Sequence, residues 1–295
     1  MTRAAAALRE GTEQSWQVNG LRLAGLSWGE AGEFPVLALH GWLDNAASFA
    51  RLAPLMDGCH VVALDLTGHG RSDRRSADAN YQIWDDLPEI LGVAAQLGWD
   101  RFALLGHSRG AIIGTLLAAA FADRVSHLIM LDAISPEPVP PGAFAQQMRR
   151  AVLDKARLLG RDNRVFDTLA EAIASRASHG LSQSAAEWIV RRNLRECEGG
   201  YTWTTDPRLR GASAVKLTGA QVQAVLDALA MPVLFLLAQD TAEEQRTWLE
   251  EHARSHITGV RVESVAGGHH FHMEDSAPEV SRKMLAFLSS GEVPA

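Results

Sequence analysis

Cysteine is scarce in this chain of 295 residues: Cys59 and Cys197 are the only two, far apart and without a C-x-x-C spacing. That excludes a disulfide framework and a thiolate zinc site, and it suits a reducing compartment. Positive charge is not in excess either. Lys and Arg total 28 against 35 Asp and Glu, a formal charge of −7 with no basic stripe, which argues against nucleic acid as a partner. No stretch approaches about 18 uninterrupted apolar residues, so no membrane span is expected. The opening segment MTRAAAALREGTEQ lacks the apolar centre of a secretion signal, because Arg9 and Glu10 break its alanine run. Neither a G-x-x-x-x-G-K-[ST] phosphate loop nor a G-x-G-x-x-G dinucleotide fingerprint occurs. The expectation is a soluble, cytoplasmic protein without cofactor or metal.

Apolar material is plentiful. At 47% hydrophobic and 21% charged residues, the chain has the makings of a large core rather than of a disordered segment. Residues 16–28 alternate apolar and polar positions around Asn19-Gly20, a strong hairpin signal. Four short apolar runs follow: Val36–Leu39, Val61–Leu64, Phe102–Leu105 and Leu128–Leu131. Each is too short for a helix and suits a strand buried on both faces. Helical patterns over Ala47–Met56, Ile83–Leu97 and Ser108–Phe121 lie between them. Strand and helix in alternation imply a parallel sheet with right-handed crossovers.

The rhythm breaks at PEPVPP, residues 136–141, which cannot be regular structure within a core. From Ala143 to about Ala230 the pattern is helical with no convincing strand. Strand and helix resume with PVLFLL at 232–237, a helix around Ala242–Ile257, a strand near Val260–Val265 and a closing helix at Pro278–Leu288. The expected organisation is therefore a core from 1–132 and 231–295, interrupted by a helical insertion at 133–230. That insertion is longer than any loop.

Residues 102–112 read FALLGHSRGAI. A buried strand runs into Gly106-His107-Ser108-Arg109-Gly110 and then into an Ala-rich helix, the strand–turn–helix setting that a G-x-S-x-G elbow requires. Glycines two before and two after the serine let strand and helix approach, and Ser108 Oγ projects at the carboxyl edge of the sheet beside a helix N-terminus. A serine that merely caps the helix is the plainer reading of the same position.

With Leu39-His40-Gly41-Trp42, DLTGHGRS at 65–72, GHSRG at 106–110 and Gly268-His269 in that order, the chain resembles the α/β-hydrolase superfamily. The run LHGWLDNAASFARLAPL at 39–55 is similar to the serine hydrolase-like proteins. The resemblance covers the chain from about residue 16 to 290 and is weaker across the insertion. It implies an α/β-hydrolase fold, with a mostly parallel, doubly wound sheet and the insertion as a helical cap.

A serine hydroxyl needs a base that a third group orients, and the superfamily order is Ser, then acid, then His. The G-H-x-x-x-x-E ending at Gly268–Glu274 makes His269 the expected base. His269, His270 and His272 together also admit a metal site, but no carboxylate or Cys motif supports it. His270 and His272 are then pocket-lining or exposed. Two aspartates compete as the acid. Asp240 follows the later strand, but one residue earlier than the superfamily's G-x-x-D pattern, with Ala238 in the glycine place. Asp132 ends the preceding strand and is preferred, though a turn-stabilising role fits it too.

The oxyanion donors implied are the backbone N–H groups of Trp42 and Arg109. The Arg109 guanidinium either pairs with a nearby Asp or faces an anionic substrate. Trp42, Arg109, Trp188 and Trp203 are candidates for substrate contact. Tyr201 and Phe144 are further aromatics for the roof of the pocket or for the cap's own core. Asp44 and Asn45 read as caps of the helix beginning near Ala47; His40, Asp65 and His69 read as turn-bonding residues. The expected activity is that of a serine carboxylesterase acting on a small ester, as monomer or homodimer. The same triad serves a thioester, amide, lactone or carbon–carbon bond, and a non-catalytic ligand-binding protein on this fold is the reading from another class.

Overall fold

A strand covered on both faces needs apolar residues at every position, and the unbroken runs in the sequence become the centre of one eight-stranded sheet. The computed structural model describes residues 10–290. The stretch before residue 10, on which most of the reading against a secretion signal rests, lies outside the described residues. So do the outer ends of the two expected core segments.

The chain opens with the hairpin β1 (Thr12–Val18) and β2 (Leu21–Trp28), turned at Asn19 (φ 51°) and Gly20 (φ 80°). Two consecutive positive φ angles give the primed turn whose twist matches the flanking strands. There follow β3 (Phe34–Leu39), β4 (Cys59–Leu64), α1 (Leu87–Gln96), β5 (Phe102–His107), α2 (Arg109–Ala120) and β6 (Val125–Leu131). Next come α3 (Phe144–Leu158), β7 (Val165–Phe166), α4 (Leu169–Ala177), α5 (Gln183–Asn193), β8 (Leu194–Cys197), β9 (Gly200–Trp203) and α6 (Gly219–Asp227). The chain then returns through β10 (Val233–Ala238), α7 (Glu243–His256), β11 (Arg261–Val265) and α8 (Ala277–Ser289).

The large sheet runs β1-β2-β4-β3-β5-β6-β10-β11, antiparallel up to β2–β4 and parallel from there on. Its side chains alternate between two cores. Leu37, Leu39, Leu104 and Phe235 join Ile113 and Leu117 of α2 on one face. Val36, Ala38, Leu105 and Leu236 join Phe49, Val280 and Met284 on the other. This is the doubly wound α/β sheet expected from the sequence.

Two local expectations need correction. The segment read as a helix over Ala47–Met56 is a pair of short 3-10 turns, Ala46–Phe49 and Ala53–Leu55. Pro54 has no N–H to give a continuing α-helix, and it sits where the second turn starts. The segment from 143 to 230 is not purely helical, since β7, β9 and β8 form a small antiparallel sheet. Those strands are two to four residues long and partly polar, so they carry no apolar run. The Gly199-Gly200 turn (φ 83° and 130°) does lead into an extended segment, β9.

The inserted elements are fastened to the core by polar groups removed from water. Arg192 at the end of α5 places Nε 2.9 Å from Asp65 Oδ1 and Nη1 2.6 Å from Glu13 Oε1, and the Asp65 side chain is 0% exposed. Asp65 also accepts from the N–H groups of Ala46 and Arg71. Asn193 Oδ1 accepts from Gly70 N–H, and Asn45 Nδ2 donates to the carbonyl of Ile189. A buried carboxylate stripped of its cation is costly. Arg192→Met is expected to lower unfolding free energy by about 3–5 kcal/mol, read from the urea midpoint; a loss below about 1 kcal/mol would show that Asp65 does not rely on this partner.

Candidate active site

Ser108 stands between β5 and α2 with φ 50° and ψ −118°, a region closed to most side chains. Gly106 and Gly110 make it attainable. A Cβ on Gly110 would lie 2.0 Å from the Leu39 carbonyl oxygen, and one on Gly106 would lie 2.4 Å from Ala111 Cα. Either side chain would push the helix off the sheet. Ser108 is half-buried and lines a cavity of about 440 Å³ with Gly41, Trp42, Leu43, Asp44, His107, Arg176, His179, Trp203, Arg210, His269 and His270 among its walls.

The loop after β11 carries His269 to this cavity. Its Nδ1 lies 2.6 Å from Asp132 Oδ2, while Asp132 Oδ1 accepts from the N–H of Ala238 at 2.9 Å. Asp132 thus ties the end of β6 both to the end of β10 and to the histidine. It too adopts a positive φ, 54°, as does Leu43 at 61° in the cavity wall. Strained backbone gathers where side chains must be aimed. Asp240 sits exposed in the turn after β10, and its N–H bonds the Gly267 carbonyl.

Trp42 lies in the wall, half-exposed, with its indole N–H donating to the carbonyl of Leu209 at 3.0 Å. Arg109 opens α2, so its own N–H has no acceptor within the helix. Its guanidinium turns away from the cavity to pair with Asp86 at 3.4 Å, the ion-pair alternative rather than the substrate-facing one. Trp203 lines the cavity and also packs edge-on against Phe166, ring centroids 5.0 Å apart. Trp188, Tyr201 and Phe144 are not in the cavity wall. Trp188 is on α5, 37% exposed, and Phe144 is half-exposed at the start of α3.

Asn45 caps the first 3-10 turn as expected, accepting from Ala47 N–H. Asp44 does not: it is buried, paired with Arg176 of α4, and 3.9 Å from both His107 Nδ1 and His270 Nε2. Burial alone pushes the Asp44 carboxyl up, but the Arg176 guanidinium leads the groups that outweigh it and hold it below the usual range. His40 is neutral by geometry, with Nδ1 donating to Gly41 O and Nε2 accepting from Leu66 N–H. His270 lines the cavity, whereas His272 is wholly buried, its ring tilted against that of His107 with centroids 4.3 Å apart, and is neither exposed nor in the wall.

Sequence reasoning missed His107, whose Nε2–H donates to the carbonyl of His269 at 2.9 Å and so fixes the loop that carries this histidine. It also missed Arg176 and His179. Their three-residue spacing puts both on one face of a helical turn, but no pattern says which face meets Ser108. Among the described residues no set of three His, Cys, Asp or Glu side chains is arranged to hold a metal ion.

A profile of the family described as alpha/beta hydrolase fold matches residues 35–276. The chain belongs to the α/β-hydrolase family. It is similar to a serine hydrolase-like protein of Dictyostelium discoideum, 31% identical over 287 residues, covering 91% of this chain and 79% of that protein. A serine hydrolase-like protein of Danio rerio is 29% identical, with 90% of this chain and 85% of that protein covered. Among solved structures, a hypothetical protein from Pseudomonas aeruginosa PAO1 superposes with a TM-score of 0.88 at 37% identity, over 95% of this chain and all of that one. Family and relatives together support hydrolase chemistry. Among the described residues no helix of this α/β hydrolase is long and apolar enough to cross a membrane.

Burial holds His69, His107 and His272 well below the ordinary histidine range, and His40 below it. In the unfolded chain these imidazoles take up protons near pH 6.5. Below that pH the unfolded state binds more protons, so the stability they contribute is complete above about 6.5 and is lost on acidification. Each imidazole that stays neutral in the fold costs about 1.4 kcal/mol per pH unit below its unfolded pKa. The depressed Asp44 acts in the same direction at lower pH. Melting temperature is expected to fall steeply from pH 7.5 to pH 5 by calorimetry; a flat profile would mean that these imidazoles take up protons in the fold as readily as in the unfolded chain.

Proposed function

We propose that this protein is a cofactor-independent serine hydrolase, acting on a small carboxylic ester. The observation that carries this reading is His269 held by Asp132 at 2.6 Å, in the cavity that Ser108 also lines. In that arrangement Asp132 keeps the proton of His269 on Nδ1 and leaves Nε2 free to accept one. Ser108 Oγ attacks the carbonyl carbon as His269 Nε2 takes its proton. The oxygen of the tetrahedral intermediate is received by the N–H groups of Trp42 and Arg109, donors already fixed by the β3 loop and by the start of α2. The imidazolium then protonates the departing alcohol, leaving the acyl group on Ser108. Water, deprotonated by His269, attacks the acyl-enzyme and releases the acid.

The residues between β6 and β10 act, in this reading, as a cap. Arg176, His179, Trp203 and Arg210 come from that segment and complete the walls, narrowing solvent access to the serine. Trp42 and Trp203 supply the apolar surface against which an acyl chain packs.

Ser108→Ala is expected to abolish both p-nitrophenyl ester turnover and fluorophosphonate labelling while leaving the melting temperature close to that of the parent. Labelling that persists in this variant would remove Ser108 from the role, and the absence of both activities in the parent would favour a ligand-binding protein. Asp132→Asn is expected to lower kcat by roughly two to four orders of magnitude, whereas Asp240→Asn leaves it within about twofold, as expected for a surface change remote from the site. Reversed effects would transfer the acid to the later strand.

A further inference from the structure

Behind Trp203 the cavity that holds Ser108 adjoins a second recess of about 400 Å³, the two sharing Ser175, Trp203 and Arg210 in their walls. The chemistry of this recess is unlike that of the first. Arg157, Arg161, Arg164 and Arg210 line it, with Asp162 as the single carboxylate. Two of the four guanidiniums are already neutralised, Arg157 by Asp154 at 3.0 Å and Arg164 by Glu171. The other two are not. Among the described residues neither Arg161 nor Arg210 forms an ion pair; Arg210 donates only to the neutral Asn163 Oδ1 at 3.2 Å. Both side chains are exposed in the wall of the same recess, where partial burial and then the charge of Arg161 lower the Arg210 guanidinium from its ordinary range.

A chain with seven more acidic than basic residues has carboxylates to spare for these arginines, yet it brings only one to the recess. Guanidinium groups match carboxylate and phosphate oxygens through paired N–H donors, and an anion between Arg161 and Arg210 would relieve their repulsion. The shared Trp203, Ser175 and Arg210 set the recess against the wall of the cavity that holds Ser108. We propose that it is a subsite for an anionic group, a carboxylate or a phosphate, carried by the substrate whose carbonyl reaches Ser108. The inference rests on the hydrolase reading for its link to turnover, but not for the binding of the anion.

Two matched pairs of substrates locate the charge. Mono-p-nitrophenyl adipate against p-nitrophenyl hexanoate places it on the acyl side; butyryl-coenzyme A against butyryl-N-acetylcysteamine places it on the leaving group. The parent protein is expected to favour the anionic member of one pair by about 10- to 100-fold in kcat/KM, the range that hydrogen bonds to a charged group supply. That ratio should fall to about one in Arg161→Gln/Arg210→Gln and return in part in Arg161→Lys/Arg210→Lys, which keeps the charge and controls for folding. A ratio near one for both pairs in the parent overturns the subsite, as does a preference that survives in the glutamine variant. Calorimetric titration with inorganic pyrophosphate needs no turnover. Saturable binding that the glutamine variant loses supports the subsite even if no ester is cleaved, in which case it is the hydrolase reading that has failed. Absence of binding, with no ester cleaved, overturns the subsite.

Discussion

A hydroxyl can stand at the carboxyl edge of a buried parallel strand only if the backbone turns from strand to helix within one residue, and at Ser108 it does so at φ 50°, ψ −118°. Strain of this kind persists only where neighbours leave no alternative. Here β5 is held between β3 and β6, while α2 lies so close to β3 that Gly110 has no room for a Cβ against the Leu39 carbonyl. The same contact places the Arg109 N–H at the edge where the loop after β3 arrives. Ser108 and the N–H groups proposed as oxyanion donors thus depend on one close approach of backbone to backbone.

His269 is held by a separate set of contacts that meet the first at the sheet edge. Asp132 at the end of β6 reaches both Ala238 N–H and His269, and His107 at the end of β5 donates to the carbonyl of His269. Two neighbouring parallel strands therefore hold the histidine, one through its ring and one through its backbone. The segment between β6 and β10 meets the rest of the fold through charges as well as apolar contacts, with Val222 and Leu226 in the main core and Ile189 clustered with Met273. Arg176 meets Asp44 and Arg192 meets Asp65, all with little exposure to water. Buried pairs of this kind contribute less to stability than to register, because a displaced partner leaves a charge uncompensated.

Much of this could be read before any coordinates. Strands covered on both faces announce themselves as short unbroken apolar runs, and G-x-S-x-G between such a run and an Ala-rich stretch names the serine. Asn19-Gly20 marks its turn because few other pairs tolerate two positive φ angles. Shorter elements escaped. The four residues of β8, Leu-Arg-Glu-Cys, show no alternation that survives next to a helix, and the 3-10 turns around Phe49 share a helix's apolar spacing without its length.

The amino-acid sequence by itself determined the layered α/β core, the position of the elbow and the histidine that follows the last strand, because each rests on local backbone chemistry or on periodic burial. Tertiary structure decided the rest. Asp132 and Asp240 both end strands, and only the path of the loop after β11 brings His269 to the first. Arg109 could face the cavity or Asp86, and the placement of Asp86 at the start of α1 within reach of its guanidinium settles it. Arg161 and Arg210 come together through contacts between residues far apart in the chain. Directions of side chains and meetings of distant segments depend on how the elements pack, and no local pattern encodes that.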